Sequence, residues 1–266
     1  MTFFNAVNRI SILGIKDMSK TIGIIGSGMI GSQVARLAIG AGIQVVICNS
    51  RGPESLTGLV SELGPLAHAG SIEDVTSSAD MIILAVPFAI YSKLPVDILA
   101  EKIVVDTLNY YPERDGVMAE VDTMHVSTSE LLQKHLKKSV VVRAISNVDF
   151  VRLLTNARPQ KATDRSALPV AGDSITAKAD VIQFLDMIGY DAVDMGALSE
   201  SWRSEPTTPV YVAPYINPEM SYMSRKVDYQ TFMTAAGRVV SVSEVKSLVQ
   251  QAVRHSGMTG KLPVFD

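Results

Sequence analysis

Short apolar runs alternate with longer segments of helical spacing along the first half of the chain. The runs that predict strands are "TIGII", "QVVICN", "PLAHAG", "DMIILAVP", "KIVVDTLN" and "SVVVRAIS". Most of them lack polar alternation, which is typical of strands covered on both faces in a parallel sheet. Between them lie segments that predict helices, among them "MIGSQVARLAIGAG", "PESLTGLVSEL", "SIEDVTSSA" and "STSELLQKHLKK". This order predicts an α/β fold, a Rossmann doubly wound parallel sheet.

The pattern changes from about Asn147 onward. There the chain predicts a helix in "NVDFVRLLTNARPQ", a strand in "SALPVAG", a helix in "ITAKADVIQFLDMIGY", a strand in "DAVDMG" and a final helix in "SVSEVKSLVQQAVRHSG". We therefore expect a Rossmann domain at 19–145 and a smaller C-terminal α/β region at 146–266 for substrate binding or dimerisation. Residues 1–18 precede the first strand, and we expect an N-terminal extension there rather than a targeting signal, since no small-residue cleavage site follows its apolar stretch.

Composition narrows the function classes. The chain has 266 residues, 47% of them apolar, and a net charge of −3, which argues against nucleic acid as the main partner. Its one cysteine, Cys48, excludes a disulfide framework and lies in an apolar run, so we expect a buried thiol and a cytoplasmic protein. The four histidines lack metal-ligand spacing, and neither a G-x-S-x-G nor an H-E-x-x-H motif occurs. We expect no metal site and no membrane partner.

A glycine motif follows the first predicted strand. Gly26, Gly28 and Gly31 fit G-x-G-x-x-G: the first permits the tight turn, the second lets a pyrophosphate approach, and the third lets helix and strand pack closely. Backbone amides at the helix start would face the phosphates. The loop residues that we expect to bind a dinucleotide are Gly26, Ser27, Gly28, Met29, Ile30 and Gly31.

The tip of the second predicted strand indicates which dinucleotide binds. An acidic residue there would bind the ribose 2′-hydroxyl of NAD, but the sequence is "NSRGPES". Arg51 can hold a phosphate through two parallel hydrogen bonds, Ser50 can donate another, and Ser55 lies in the first turn of the next helix. We expect NADP(H), bound at this tip by Asn49, Ser50, Arg51 and Ser55.

The ends of the later strands should form the rest of the crevice. We expect Val86 and Pro87, which follow Ala85 at the end of the fourth strand, to shape the wall beside the nicotinamide, and Asn109 and Asn147 to contact the nicotinamide or the substrate. Asp106 is interpreted as a strand-end turn residue rather than a general acid, and Tyr110–Tyr111 as packing more than acceptor stacking. We therefore predict no dedicated catalytic residue.

Several segments resemble the coenzyme F420-dependent NADP oxidoreductase family. They are "GIIGSGMIGSQVARLAIGAGIQVVICNSRGPESL", "ADMIILAVPF", "VVDTLNYY" and "ALPVAGDSITAKADVIQFLDMIGYDAVDMGAL". The resemblance implies that Ser50 and Arg51 contact the NADP 2′-phosphate and that the glycine loop and Ala85–Pro87 line the rest of the cofactor. It also implies direct hydride transfer to or from a deazaflavin without an acid–base residue.

The chain departs from the family pattern on the acceptor side. After the sixth predicted strand it has Ile145-Ser146-Asn147 where many members have Phe-Asn. Arg203 and Glu205-Pro206 match the family's arginine-then-Glu-Pro pattern only loosely, and the tail at 207–266 is longer than in the compact F420 enzymes. The acceptor could therefore be F420, a flavin, or a small carbonyl or imine. The alternative is a non-catalytic NADP(H)-binding redox sensor; an imine or β-hydroxyacid reductase is weaker, because its expected lysine or helical dimerisation region is not found. We expect a small-molecule substrate and a homodimer.

Overall fold

The computed structural model describes residues 21–123, 125–217, 228–255 and residue 260. The N-terminal extension predicted at 1–18 lies outside the described residues, as does part of the tail at 207–266.

One eight-stranded sheet organises the described chain, with the strand order β3-β2-β1-β4-β5-β6-β7-β8. The strands are β1 Thr21–Ile25, β2 Gln44–Cys48, β3 Ala67–Ala69, β4 Met81–Leu84, β5 Ile103–Asp106, β6 Val140–Arg143, β7 Ala167–Gly172 and β8 Asp191–Asp194. Strands β1 to β6 are parallel, in the order of a dinucleotide-binding Rossmann sheet, which confirms the predicted fold. The last two strands extend this same sheet: β7 runs antiparallel to β6, and β8 runs parallel to β7. The predicted division at 145/146 stays a prediction.

Helices connect the strands and cover both faces of the sheet. They are α1 Met29–Gly40, α2 Thr57–Leu63, α3 Ile72–Ser78, α4 Pro112–Asp115, α5 Ala119–Asp122, α6 Thr128–His135, α7 Phe150–Thr155, α8 Ile175–Met187, α9 Tyr229–Thr234 and α10 Val242–Gln251. Short 3₁₀-helices lie at Pro53–Leu56, Phe88–Lys93, Leu198–Ser204 and Ala213–Tyr215.

Local capping sets where several helices begin. Ser71 and Asp74 form a complete capping box at α3, although an aspartate replaces the usual glutamate. The helix predicted in "NVDFVRLLTNARPQ" is shorter than expected. It begins only at Phe150, because Asp149 caps it and accepts bonds from the amides of Val151 and Arg152, and it ends at Thr155.

The core consists of two apolar layers, one on each face of the sheet. Ile22 and Ile24 pack with Val34 and Ala38 of α1 on one face, while Ile82 and Val104 belong to the layer on the other face. Burial on both faces explains why the strands lack polar alternation. The carboxyl ends of the strands then meet at one edge, where the predicted site residues lie.

Candidate functional site

Two of the three motif glycines are required by close backbone contacts. Gly26 has a positive φ of 109°, and a Cβ atom on it would lie 2.1 Å from the carbonyl oxygen of Ala85. A Cβ atom on Gly31 would lie 1.9 Å from the carbonyl oxygen of Gly26. Any side chain at either position would therefore push the loop away from α1 or β4.

Gly28 has a different environment. A Cβ atom at this position would meet nothing within 4 Å, and the residue is exposed. It is the N-cap of α1, and no side chain caps the first amides of that helix. The loop is therefore packed tightly at Gly26 and Gly31 and open at Gly28, which fits the approach of a pyrophosphate to bare backbone.

Asn49 connects the tip of β2 to the glycine loop. Its Nδ2 donates to the hydroxyls of Ser27 and Ser55, at 3.0 Å each, and its Oδ1 accepts from the backbone amide of Arg51 at 2.9 Å. Gly52 follows with a φ of 88°, a left-handed conformation that favours glycine. These bonds hold the tip beside the loop and leave the side chains of Ser50 and Arg51 exposed.

Arg51 is an unpaired cation within the described chain, where its guanidinium has no hydrogen bond or ion pair. Arg36 of the same region is different, because it pairs with Glu62 at 2.7 Å. With Asn49 in place of a carboxylate at the end of β2, nothing at that position repels a phosphate. The tip therefore fits a phosphorylated ribose.

The end of β4 lies against the glycine loop. The Ala85 amide donates to the carbonyl of Ile25 at 2.8 Å, and a Cβ atom on Gly31 would lie 3.4 Å from the Ala85 side chain. Val86 is half-buried and Pro87 exposed. The structure thus brings Ala85–Pro87 beside the loop, as the sequence predicts, while their contacts with a cofactor stay a prediction.

A buried ion pair that sequence reasoning missed joins the ends of β5 and β6. Asp106 and Arg143 are register partners on these strands, both fully buried, with Oδ2 and Nη1 3.4 Å apart. Asp106 also accepts from the Ser129 hydroxyl at 2.6 Å and from the Leu108 amide at 2.9 Å. The hydrogen bond from the Leu108 amide fits the strand-end turn role expected for Asp106. The ion pair could have been found from the sequence, because two opposite charges stand at equivalent ends of neighbouring buried strands.

Arg143 in turn fixes Asn109. Its Nη2 donates to Asn109 Oδ1 at 2.9 Å, and its Nη1 donates to the Leu108 carbonyl at 2.5 Å. Asn109 Nδ2 donates to the carbonyl of Ser146 at 2.7 Å. Both ends of the Asn109 amide are therefore used inside the protein, so a contact with nicotinamide would require it to share or exchange one of these bonds.

Glu205 extends this polar network from the C-terminal half of the chain. Its Oε1 accepts from the backbone amide of Thr128 at 2.8 Å and from the Thr128 hydroxyl at 2.7 Å. Ser204 lies next to it, and its hydroxyl accepts from Arg143 Nε at 3.4 Å. The segment around the loosely matched Glu205-Pro206 therefore packs directly on the ends of β5 and β6.

Asn147 is fully buried at the end of β6. Its Nδ2 donates to the Val210 carbonyl at 3.0 Å and to the Tyr215 hydroxyl at 2.9 Å, which ties the segment after Glu205 to the sheet. Within the described chain its Oδ1 and the Ser146 hydroxyl are buried without a hydrogen-bond partner. Both retain hydrogen-bonding capacity, and a ligand contact of Asn147 stays a prediction.

The two tyrosines after β5 differ in their environments. Tyr110 is buried, and its hydroxyl donates to the Gly116 carbonyl at 2.9 Å and accepts from the Met118 amide at 2.8 Å, so it has the packing role expected. Tyr111 is half-buried, and its hydroxyl is hydrogen-bonded to that of Tyr211. The Arg114 guanidinium lies over the Tyr111 ring at 5.0 Å.

Cys48 has the environment of an unreactive thiol. It is buried, and burial raises the pKa of this thiol to about 11. At neutral pH the thiolate, which is the reactive form, is therefore nearly absent.

The described residues contain no group of three or more His, Cys, Asp or Glu side chains that could hold a metal ion. No described helix has the length and apolar character needed to cross a bilayer. A cleft of about 340 Å³ between β8 and α10, lined in part by Asp194 and Lys246, contains none of the predicted site residues.

Comparisons with known proteins show which parts of this chain are similar to a known family and to individual relatives. Residues 21–110 match the family described as NADP oxidoreductase, coenzyme F420-dependent. Over 206 residues the chain is 28% identical to metalloreductase STEAP3 of Rattus norvegicus, covering 77% of this chain and 39% of that protein. A glyoxylate reductase of Thermococcus kodakarensis is 43% identical over 76 residues, covering 28% of this chain and 21% of that enzyme. The chain thus spans well under half the length of both relatives.

Solved structures share the fold over most of the chain. A hypothetical protein, SMa0349, from Sinorhizobium meliloti has a TM-score of 0.62 at 28% identity, covering 72% of this chain and 92% of its own. A putative F420-dependent NADP reductase from Arthrobacter sp. has a TM-score of 0.56 at 23% identity, covering 69% of this chain and 87% of that protein's chain. The second likeness shows the fold alone.

Proposed function

Because residues 21–110 match the family of coenzyme F420-dependent NADP oxidoreductases, we propose that this chain binds NADP(H) and transfers a hydride between NADP(H) and a second substrate. That substrate is a deazaflavin or flavin, or a small organic acceptor. The observation that carries the proposal is Arg51, an exposed cation without a partner in the described chain, held beside an open glycine loop.

The cofactor contacts follow from the geometry of the loop and the tip of β2. Arg51 and Ser50 bind the 2′-phosphate, and Asn49 and Ser55 hold the tip in place through their mutual hydrogen bonds. The amides from Ser27 to Ile30 face the pyrophosphate, since Gly28 leaves the approach open. Ala85–Pro87 line the wall next to the loop.

The acceptor lies in the crevice at the carboxyl ends of β4, β5 and β6, bounded by residues 85–87, 107–111 and 145–147. When bound there, NADPH supplies the hydride. The chain's own part is to hold the two reactants in contact and to exclude water, which by itself lowers a barrier substantially.

The phosphate assignment is tested by comparing the affinities of NADPH and NADH. We expect Arg51→Ala, and separately Ser50→Asp, to weaken NADPH binding by about 1–3 kcal/mol, which is about 5- to 150-fold in Kd, with little effect on NADH. Calorimetric titration measures both cofactors. Arg36→Gln is the matched control, because it removes a cation of the same domain that is already paired with Glu62. Equal losses for NADPH and NADH in the Arg51 variant would refute the assignment.

A turnover screen tests the catalytic part of the proposal. Purified protein and NADPH are mixed with F420, FMN, FAD, ferric chelates and small carbonyl compounds, and NADPH oxidation is followed by absorbance. Tight NADPH binding without oxidation by any of these acceptors would favour the redox sensor instead. The cytoplasmic location and the homodimer stay predictions; light scattering of the purified protein measures the oligomeric state.

A further inference from the structure

Tyr111 and Tyr211 share a hydrogen bond between their hydroxyls although 100 residues separate them in sequence. Tyr111 lies in the loop that follows β5. Tyr211 lies beside the end of β6, because the next amide, that of Val212, donates to the Asn147 carbonyl at 2.8 Å. The pair therefore joins the two sides of the crevice in which we place the acceptor.

The partner of the Tyr111 hydroxyl distinguishes it from the buried tyrosines of this chain. Tyr110, Tyr190 and Tyr215 each donate their proton to a backbone carbonyl, which can only accept. Tyr111 faces another hydroxyl, which can accept or donate. This arrangement allows a proton lost by Tyr111 to be replaced from Tyr211.

Charged groups around Tyr111 favour the donation of its proton. Arg114 lies over the ring, and Arg143 lies close enough for its charge to act on the hydroxyl. Burial raises the pKa of Tyr111, so the phenol is neutral at neutral pH, while the bond to Tyr211 and the two arginines act in the opposite direction. The charge of Asp115 also acts on this hydroxyl and raises its pKa, but Asp115 is itself paired with Arg114 at 2.7 Å. Once Tyr111 loses its proton, the two arginine charges stabilise the phenolate.

The residue after Tyr211 is held in a rarely adopted backbone conformation. Val212 has a φ of 53°, unusual for a β-branched residue, and the Ala213 amide donates to the Tyr211 carbonyl at 2.6 Å. Conformations of this kind persist where the surrounding structure enforces them, and they cluster at functional sites. Here the bonds of Asn147 to Val210 and Val212 provide that enforcement.

We propose that Tyr111 is the proton donor to a carbonyl acceptor bound in this crevice, with Tyr211 as the residue that positions and reprotonates it. The inference rests on the proposed function and narrows its acceptor class to aldehydes and ketones. The carbonyl carbon receives a hydride from NADPH and forms a new C–H bond, while the π electrons of the C=O bond move to oxygen. That oxygen takes the proton of Tyr111, whose O–H electron pair stays on the phenolate. Tyr211, which is half-buried, then gives its hydroxyl proton to this phenolate and recovers a proton from water. The carbonyl is reduced to an alcohol and NADPH is oxidised to NADP⁺.

The test compares Tyr111→Phe, Tyr211→Phe and wild type with two kinds of acceptor. The carbonyl probes are glyoxylate, pyruvate, benzaldehyde and cyclohexanone, and the comparison acceptor is FMN, whose reduction by hydride needs no proton on an oxyanion. Tyr91→Phe is the control, since it removes a hydroxyl from a ring that stacks on Phe88 outside the tyrosine pair. The NADPH dissociation constant and the thermal midpoint of each variant are measured beside the kinetics.

We expect Tyr111→Phe to lower kcat for the carbonyl probes by about 10²- to 10⁴-fold, the range for a general acid, and at least about tenfold more than it lowers FMN reduction. Tyr211→Phe should act in the same direction with a smaller loss, and it keeps the test open if Tyr111→Phe fails to fold. The control Tyr91→Phe, the NADPH dissociation constants and the thermal midpoints should stay close to wild type.

Equal losses on carbonyls and FMN, or no loss in either tyrosine variant, would show that the pair only packs and would overturn the inference. Wild type that reduces FMN but none of the four carbonyls would also overturn it and leave the proposed function standing. Wild type that binds NADPH but reduces no acceptor would refute the proposed function and this inference with it.

Discussion

Arg143 joins the ends of β5 and β6 through a buried polar network. Its guanidinium is fully buried and donates to the Leu108 carbonyl and the Asn109 side chain besides pairing with Asp106. Arg143→Met fills similar space but leaves the Leu108 carbonyl, the Asn109 amide oxygen and the Asp106 carboxylate without their cation. Breaking a buried pair in this way costs about 3–5 kcal/mol, because the remaining charge stays buried.

The Asp106 carboxylate keeps two other donors, the Ser129 hydroxyl and the Leu108 amide. We therefore expect Arg143→Met to lower the free energy of unfolding by the lower part of the range of about 3–5 kcal/mol. Urea unfolding, followed by the fluorescence of Trp202, the only tryptophan, measures the free energy of unfolding. Adding Asp106→Asn to Arg143→Met removes the orphaned charge as well. The double variant should therefore be about 1–3 kcal/mol more stable than the sum of the two single effects predicts.

Arg36→Met is the matched control, since it breaks the exposed pair with Glu62 and should cost about 0–1 kcal/mol. The reasoning is refuted if Arg143→Met costs no more than this control. It is also refuted if the effects of Asp106→Asn and Arg143→Met simply add.

Two further predictions concern the glycine loop and a loop carboxylate. Gly31→Ala should lower both the free energy of unfolding and NADPH affinity, since its Cβ would overlap the Gly26 carbonyl, whereas Gly28→Ala should weaken NADPH binding without loss of stability. Thermal unfolding measures the stability of each variant, and titration measures its NADPH affinity. Equal destabilisation by the two substitutions would contradict the assigned roles. Asp115 is partly buried, which raises its pKa, but bonds from Arg114 and the Tyr111 and Ala89 amides outweigh burial and lower it overall. The stability that ionised Asp115 contributes is therefore fully present above its unfolded pKa of about 3.9 and lost as pH falls through the lower folded pKa. The difference in unfolding free energy between wild type and Asp115→Asn should shrink in acid. A difference that grows toward low pH would refute this.

The sequence alone determined the features that depend on neighbouring residues. Uninterrupted apolar runs predicted the parallel strands, and the spacing of Gly26, Gly28 and Gly31 predicted the loop, because backbone geometry at a tight turn admits few residue types. The choice of NADP(H) also came from a contiguous stretch, "NSRGPES", in which an acidic residue is replaced by Asn49 and followed by Arg51. The start of α7 was less predictable, since the cap at Asp149 outweighs the helical spacing around it.

The polar contacts at the ends of β5 and β6 were decided by the tertiary structure. Arg143 and Asp106 lie 37 residues apart, and only the alignment of β5 with β6 turns two isolated charges into a pair that fixes Asn109. Tyr111 and Tyr211 lie 100 residues apart and meet because Asn147 holds the later segment against the sheet. Contacts of this kind depend on chain paths that no local pattern specifies, which is why the sequence predicts a cofactor but not the polar network at the ends of β5 and β6.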